Sequence, residues 1–406
     1  MLRKITMVAL IGVMLFGLAA AAVDITFWHP MSTRHQTNLQ VLIDEFHAEF
    51  PDIHVTATYQ GSYSDLEAKI GAAVVAGGLP TVAQVYENWV TPIQEILYPI
   101  GNFMTVAEVD DIVDGLVPSN TYNGILTTVP FNKSIMVLYY REDLVPVPPA
   151  TWGEYLGLAA ALTTADEDGD GSPDFYGVGF NPVSAELFLT FLAQAGASIL
   201  SDDWSEVTIN DLAGLQAAQF LQTISPYSFL STGYMNAFFP QKLAMFIDTS
   251  AGYYYNNKAC EDAGVVMKVG RVPAGSVSQD SMIQGTNLAI FDTGDITKQQ
   301  KDAAIDFVKF LIRADNQVFW AINSGYQPVV ESAYETQEWI DYVATHEYQQ
   351  AMSAQMLDGF SQILHPAYGD MRGILSAAFE EILTGAVTPQ AALDYAASEL
   401  EFLLDE

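Results

Sequence analysis

Tyr63, Glu87, Ser134, Thr249, Ser250, Gly285, Tyr326 and Arg372 each stand beside an apolar run or a helix boundary, where the ends of buried elements present side chains to a ligand. Their chemistry is that of recognition. Hydroxyls donate and accept, a carboxylate accepts from ligand hydroxyls, and a guanidinium fork matches an oxyanion in bidentate fashion. Taken singly, each has an ordinary structural reading: Gly285 as a turn, Tyr326 as a half-buried aromatic, Arg372 as a surface cation. Together they describe a cleft lined by hydroxyls, one carboxylate and one arginine.

A second group is metal-like. Asp166, Asp168, Asp170, Gly171 and Asp174 occupy positions 1, 3, 5, 6 and 9 of an EF-hand-type loop, the alternating hard oxygen ligands that Ca²⁺ takes. The twelfth position is Gly177, where such loops carry a bidentate glutamate. A structural Ca²⁺ held by the four aspartates competes with a plain solvated acidic turn. No other cofactor is implied. Enzyme signatures are absent: there is no G-x-S-x-G elbow, P-loop, H-E-x-x-H or Cys/His cluster. His29, His35, His47 and His54 match no metal spacing. With 49 acidic residues, a glycosidase-like carboxylate pair carries almost no information, so an exported glycan hydrolase is only the remote alternative.

The elements that must position these residues follow from periodicity. Val23–Trp28, Ile53–Tyr59 and Thr81–Tyr86 read as strands, with helices over Gln36–Phe50 and Tyr63–Ala76 between them. This alternation implies an α/β fold with a largely parallel sheet. Thr128–Asp143 opens polar and turn-prone through Pro130 to Ser134, then becomes the apolar run Ile135–Tyr140, a buried strand with its polar head at the mouth. Thr151 and Glu154 have capping-box spacing at the start of a helix. Further helices are expected at Phe188–Gln194, Asp211–Thr223, Asp302–Arg313 and Ile374–Leu383, with Arg372 just before the last. Another helix is begun by Thr388 and Pro389, and strands are expected at Lys242–Asp248 and Val265–Arg271.

At 406 residues two domains are expected. The formal charge of −34 excludes nucleic acid as a partner, since that needs a basic footprint. Residues 1–22 read as a signal peptide cleaved near Ala22: Arg3 and Lys4 lead a short apolar core that ends in four alanines. Cys260 is the lone cysteine, so neither an internal disulfide nor a lipid anchor at the cleavage site is possible. A periplasmic location follows.

The motifs FWHPM (Phe27–Met31), QVYE (Gln84–Glu87), PFNKSIMVLYY (Pro130–Tyr140), PATWGE (Pro149–Glu154), KLAM (Lys242–Met245) and SGYQPV (Ser324–Val329) resemble family 1 extracellular solute-binding proteins of ABC importers. Within the family they are most similar to members that bind sn-glycerol-3-phosphate, in matched order over the whole mature chain. The resemblance implies a two-lobed, class II-like fold with a ligand cleft between lobes. Lobe 1 would be residues 23–132 plus about 280–325, and lobe 2 about 133–279 plus 326–406. Crossings would fall near Asn132–Met136, Arg271–Met282 and Ser324–Val329.

The resemblance further implies capture by hinge closure and delivery to permease transmembrane subunits by a monomer that is not an enzyme. Tyr63, Glu87, Ser134, Thr249, Gly285, Tyr326 and Arg372 match the family's ligand positions, with Glu87 on glycerol hydroxyls and Arg372 on the phosphate; Ser250 adjoins Thr249. There are four departures: Thr249 replaces a serine, Phe180–Pro182 stand where tryptophans are expected, Gln241 replaces a glycine before KLAM, and the Asp166–Asp174 loop is additional. The loss of the tryptophans leaves the far end of the ligand open. A glycerol-3-phosphate-like ligand or glycerophosphodiester is favoured over a carbohydrate. The acidic charge opposes an anion only weakly, since it is screened beyond about 8 Å at physiological salt.

Overall fold

The computed structural model describes residues 22–405. The expected signal peptide lies outside the described residues except for Ala22. The strands are β1 (Val23–His29), β2 (Ile53–Tyr59), β3 (Val82–Val85), β4 (Thr121–Tyr122), β5 (Ile125–Leu126), β6 (Val129–Arg141), β7 (Tyr176–Phe180), β8 (Ser228–Leu230), β9 (Leu243–Thr249), β10 (Met267–Gly270), β11 (Ser281–Ile290) and β12 (Gly359–Phe360). The helices are α1 (Thr33–Glu49), α2 (Tyr63–Ala76), α3 (Glu87–Val90), α4 (Val106–Asp110), α5 (Trp152–Leu162), α6 (Ala185–Ala195), α7 (Leu212–Ile224), α8 (Phe239–Lys242), α9 (Tyr253–Ala263), α10 (Lys298–Leu311), α11 (Ala314–Ser324), α12 (Glu331–Tyr334), α13 (Gln337–Thr345), α14 (Glu347–Leu357), α15 (Tyr368–Thr384) and α16 (Pro389–Asp405).

Local rules account for many boundaries. Helix α1 buries Leu39, Leu42, Ile43 and Phe46 along one stripe, each such side chain contributing about 1.5–3 kcal/mol when fully buried. Helix α2 starts with a reciprocal capping box, Ser62 Oγ accepting from Asp65 N while the Asp65 carboxylate accepts from Ser62 N, and Gly77 follows its end. At α5 only half of the expected box forms. Thr151 accepts from Glu154 N, but the Glu154 carboxylate reaches one residue further back, to Ala150 N.

The sheet is mixed, not largely parallel. Its order is β2-β1-β3-β11-β6-β9-β7-β8, with β10 beside β6 and β12 beside β11. The β1–β2–β3 and β7–β8–β9 groups are parallel internally, as strand–helix alternation requires. Between them run β6 and β11, antiparallel to each other over Val129–Ile135 and Ile283–Leu288. Past Ile135, β6 instead pairs with β9 and β10. Together these two strands link the groups, β11 pairing with β3 and β6 with β9, and their own pairing joins residues too far apart in sequence to show as local alternation.

The polar head of β6 is itself strand, contrary to the turn-prone mouth expected from sequence. Its side chains are tolerated because each finds a partner. Gln84 Nε2 donates to Asn132 Oδ1 (2.9 Å), and the Thr286 hydroxyl also donates to Asn132 Oδ1. Pro130, which lacks an N–H, sits where the register slips opposite Thr286 and Asn287, the kind of irregularity that accommodates proline. Along β6, alternation divides the apolar side chains between two cores. Phe131, Ile135, Val137 and Tyr139 join the core containing Phe307 and Trp320; Met136, Leu138 and Tyr140 join that containing Phe180 and Phe379.

Candidate functional site

Four of the residues singled out in the sequence converge on one cavity of about 510 Å³: Tyr63, Glu87, Gly285 and Arg372. Tyr63 is the first residue of α2 and Glu87 the first of α3, so both project from strand-to-helix junctions after β2 and β3. Gly285 is not in a turn. It lies inside β11 with φ +111°, and a Cβ there would come within 2.0 Å of the Asn132 carbonyl oxygen of β6. Glycine is what allows the two crossing strands to meet beside the cavity. Arg372 lies within α15, which begins at Tyr368, four residues before the arginine and not after it.

Tyr326 backs the site. Its hydroxyl is 3.3 Å from that of Tyr63, and Asn132 Nδ2 donates to the Tyr63 hydroxyl at 3.4 Å. Burial, and next the neighbouring Tyr326, push the Tyr63 hydroxyl well above its ordinary pKa. It is therefore a neutral donor at physiological pH. Thr249 ends β9 and donates to Ser134 Oγ at 2.7 Å. Thr249 lines a neighbouring cavity of about 870 Å³ that shares Tyr63 with the first. Ser134 is buried within β6. Ser250 differs from its expected role: it is wholly buried, and its hydroxyl accepts from Ile135 N at 3.2 Å. It holds the crossing strand in place.

Glu87 has partners that were not among the expected site residues. Lys133 Nζ, itself 1% exposed as a residue, donates to Glu87 Oε1 at 2.6 Å and to the Gly285 carbonyl at 2.8 Å. Gln362 Nε2 donates to Glu87 Oε2 at 3.0 Å. Burial lowers the Lys133 pKa, and the Glu87 charge opposes that shift. A carboxylate has about four acceptor positions, so a ligand hydroxyl can still bond to Glu87. Arg372, likewise, has a partner: its guanidinium donates to Glu186, on the first turn of α6. Glu67, Tyr86 and Trp89 complete the polar and aromatic wall, with Tyr63–Tyr86 ring centroids 5.3 Å apart and Tyr86–Trp89 5.1 Å.

Lys133 had one legible hint, its place next to the candidate Ser134 in the polar head of β6. Glu186 and Gln362 had none, because their partners lie 186 and 275 positions away in sequence.

The acidic loop is only partly as expected. Asp166, Asp168 and Asp170 bring carboxylate oxygens within 4.8 Å of one another. Asp166 accepts backbone N–H groups from Gly169, Asp170 and Gly171. Asp174 turns away to accept from Glu167 N at 3.0 Å. Gly177 is packed so closely that a Cβ would lie 2.2 Å from the Ala159 carbonyl oxygen, which rules out the missing glutamate at that position.

A two-group sheet, a pair of crossing strands and a polar cavity beside them define a ligand-capturing protein, and residues 41–347 match the model of the bacterial extracellular solute-binding protein family. The chain belongs to that family and is a solute-binding protein of an ABC importer, with the two-lobed α/β fold. It is 27% identical to the sn-glycerol-3-phosphate-binding periplasmic protein UgpB of Escherichia coli K12, over 95% of this chain and 93% of that protein. It is 26% identical to UgpB of Pectobacterium atrosepticum, over 95% and 92%. Among solved structures, the cyclic alpha-maltosyl-1,6-maltose binding protein of Arthrobacter globiformis superposes with a TM-score of 0.82 at 21% identity, covering 95% of this chain and 99% of that one. UgpB of Mycobacterium tuberculosis in complex with glycerophosphocholine gives 0.78 at 19%, with the same coverage. The family and these relatives are binding proteins. No helix among the described residues is long and apolar enough to cross a membrane.

Proposed function

We propose that this chain captures a glycerol phosphate, either sn-glycerol-3-phosphate or a glycerophosphodiester, and delivers it to its permease from the periplasm as a monomer. The carrying observation is that Arg372, the one basic side chain among the cavity's lining residues, shares that cavity with Glu87 and Tyr63. A guanidinium suits phosphate oxygens, and Glu87 with the tyrosine hydroxyl suits a glycerol end. The kinship with the E. coli UgpB supports the same ligand class.

Lobe 1 is assigned to residues 23–132 plus about 280–325, and lobe 2 to about 133–279 plus 326–406. The crossings are assigned near Asn132–Met136 in β6, Arg271–Met282 leading into β11, and Ser324–Val329, where the Gln327 N–H donates to the Lys133 carbonyl at 2.8 Å. Closure about these crossings would wrap the ligand. A second reading, an oligosaccharide, is favoured by the 870 Å³ cavity that continues past Tyr63 and is lined by the exposed Tyr234 and Tyr255, which could serve as stacking surfaces. Calorimetric titration with sn-glycerol-3-phosphate, glycerophosphocholine, glycerol and maltotriose separates the two. Binding of a phosphorylated compound is expected. Binding of maltotriose alone would replace the glycerol phosphate reading with the carbohydrate one.

A further inference from the structure

The cavity's charges are unevenly matched. Glu67, Glu87 and Glu186 line it against Arg372 alone, and Lys133 answers for Glu87 from behind. The Arg372–Glu186 pair is not a casual surface contact. Glu186 is the withdrawn partner, with 15% of its side chain exposed against 47% for Arg372. Its helix α6 is locked to α15 by the stacked rings of Phe188 and Phe379, 5.4 Å apart. A phosphate can therefore approach the open face of Arg372, but Glu186 remains next to it as a like charge.

We propose that Glu186 is a specificity-determining residue: by staying on Arg372 it selects glycerophosphodiesters that carry a cationic head group over dianionic phosphate monoesters. This rests on the glycerol phosphate reading and sharpens it. A phosphate monoester carries about −1.5 to −2 charge at pH 7, which sets it against Glu186 and Glu67, two carboxylates that already share the one Arg372 charge. A diester carries one negative charge, and a cationic head group cancels it. The same cavity is lined by two carboxylates, Glu67 and Glu186, and by the aromatic rings of Tyr86 and Trp89, the groups that attract ammonium and quaternary ammonium ions. Glu186 touches no reacting atom; it acts by its charge on what Arg372 will accept.

The test is calorimetric titration of wild type, Glu186→Gln and Glu186→Asp with sn-glycerol-3-phosphate, glycerophosphoglycerol and glycerophosphocholine. Wild type is expected to bind glycerophosphocholine at least about tenfold tighter than sn-glycerol-3-phosphate, a difference of about 1.4 kcal/mol, with glycerophosphoglycerol between them. Glu186→Gln should collapse that preference by tightening monoester binding, and Glu186→Asp should keep it. A merely structural role would weaken all three ligands together. Equal wild-type affinities for monoester and choline diester would overturn the proposal whether or not the variants fold, and so would an unchanged preference in a folded Glu186→Gln. Those outcomes leave the glycerol phosphate reading standing. Binding of none of the three, with maltotriose bound, would remove that reading and this inference with it.

Discussion

Lys133 Nζ lies 2.6 Å from Glu87 Oε1, with 2% and 4% of the two side chains exposed. Strand β6 thus holds a buried cation against a carboxylate that lines the cavity shared with Arg372. Removing one member of such a pair strands the other's charge in a medium that solvates it poorly.

Lys133→Met should therefore lower stability by about 3–5 kcal/mol, read by urea unfolding. Combining it with Glu87→Gln should recover most of that loss, since no buried charge is then left alone. Ligand binding should not return in the double variant, because the anionic acceptor is gone. A single Lys133→Met with unchanged stability would show that the pair contributes nothing to the fold.

Gly285→Ala should destabilise by at least about 2 kcal/mol, since left-handed backbone costs a side-chain-bearing residue about 1–2 kcal/mol and the new methyl would meet the Asn132 carbonyl. Gly157→Ala is the control. It sits within α5, exposed, with nothing within 4 Å of the added carbon, and should gain about 0.5–1 kcal/mol. Equal effects of the two changes would contradict the close approach of β6 and β11.

Arg372→Ala should weaken a glycerol phosphate ligand by about a hundredfold, the loss expected for charge-assisted bonds to an oxyanion. The fold should survive with a modestly lower melting temperature, because the arginine is half exposed but its removal leaves Glu186, 15% exposed, without its partner. Calorimetry beside thermal melting checks both halves, and an unchanged affinity would place Arg372 outside the site.

His29 should make the fold acid-sensitive. It is 1% exposed, and burial lowers its pKa from 6.5 to about 4. Below pH 6.5 the unfolded chain takes up a proton that the folded chain refuses until about pH 4. Stability therefore falls as pH drops through that window, by at most about 3 kcal/mol. His29→Phe should flatten this part of the profile relative to wild type, measured as the difference in unfolding free energy between pH 7 and pH 4. An identical slope in both proteins would show that His29 is not buried in its neutral form.

Much of the fold was legible because it is written in local periodicity. Helix α2 and strand β2 fall on their expected residues, and α1, α10 and α16 within a few positions. The mixed order of the sheet was not, since β11 joins β3 and β6 across more than a hundred residues and its own alternation carries no direction. The site divides the same way. Tyr63, Glu87 and Arg372 announced themselves by type and place. Their partners Lys133, Gln362 and Glu186 did not, because a buried lysine reads locally as a polar interruption and an ion pair between distant helices leaves no spacing to find.

A glycerol phosphate held between Glu87 and Arg372, as proposed, would be seen in a crystal structure of the protein with glycerophosphocholine. Expected are phosphate oxygens within hydrogen-bond distance of the Arg372 guanidinium, and glycerol hydroxyls on Glu87, in the cavity that Tyr63 borders. A phosphate bound away from Arg372, or a glycerol end that leaves Glu87 untouched, would contradict it.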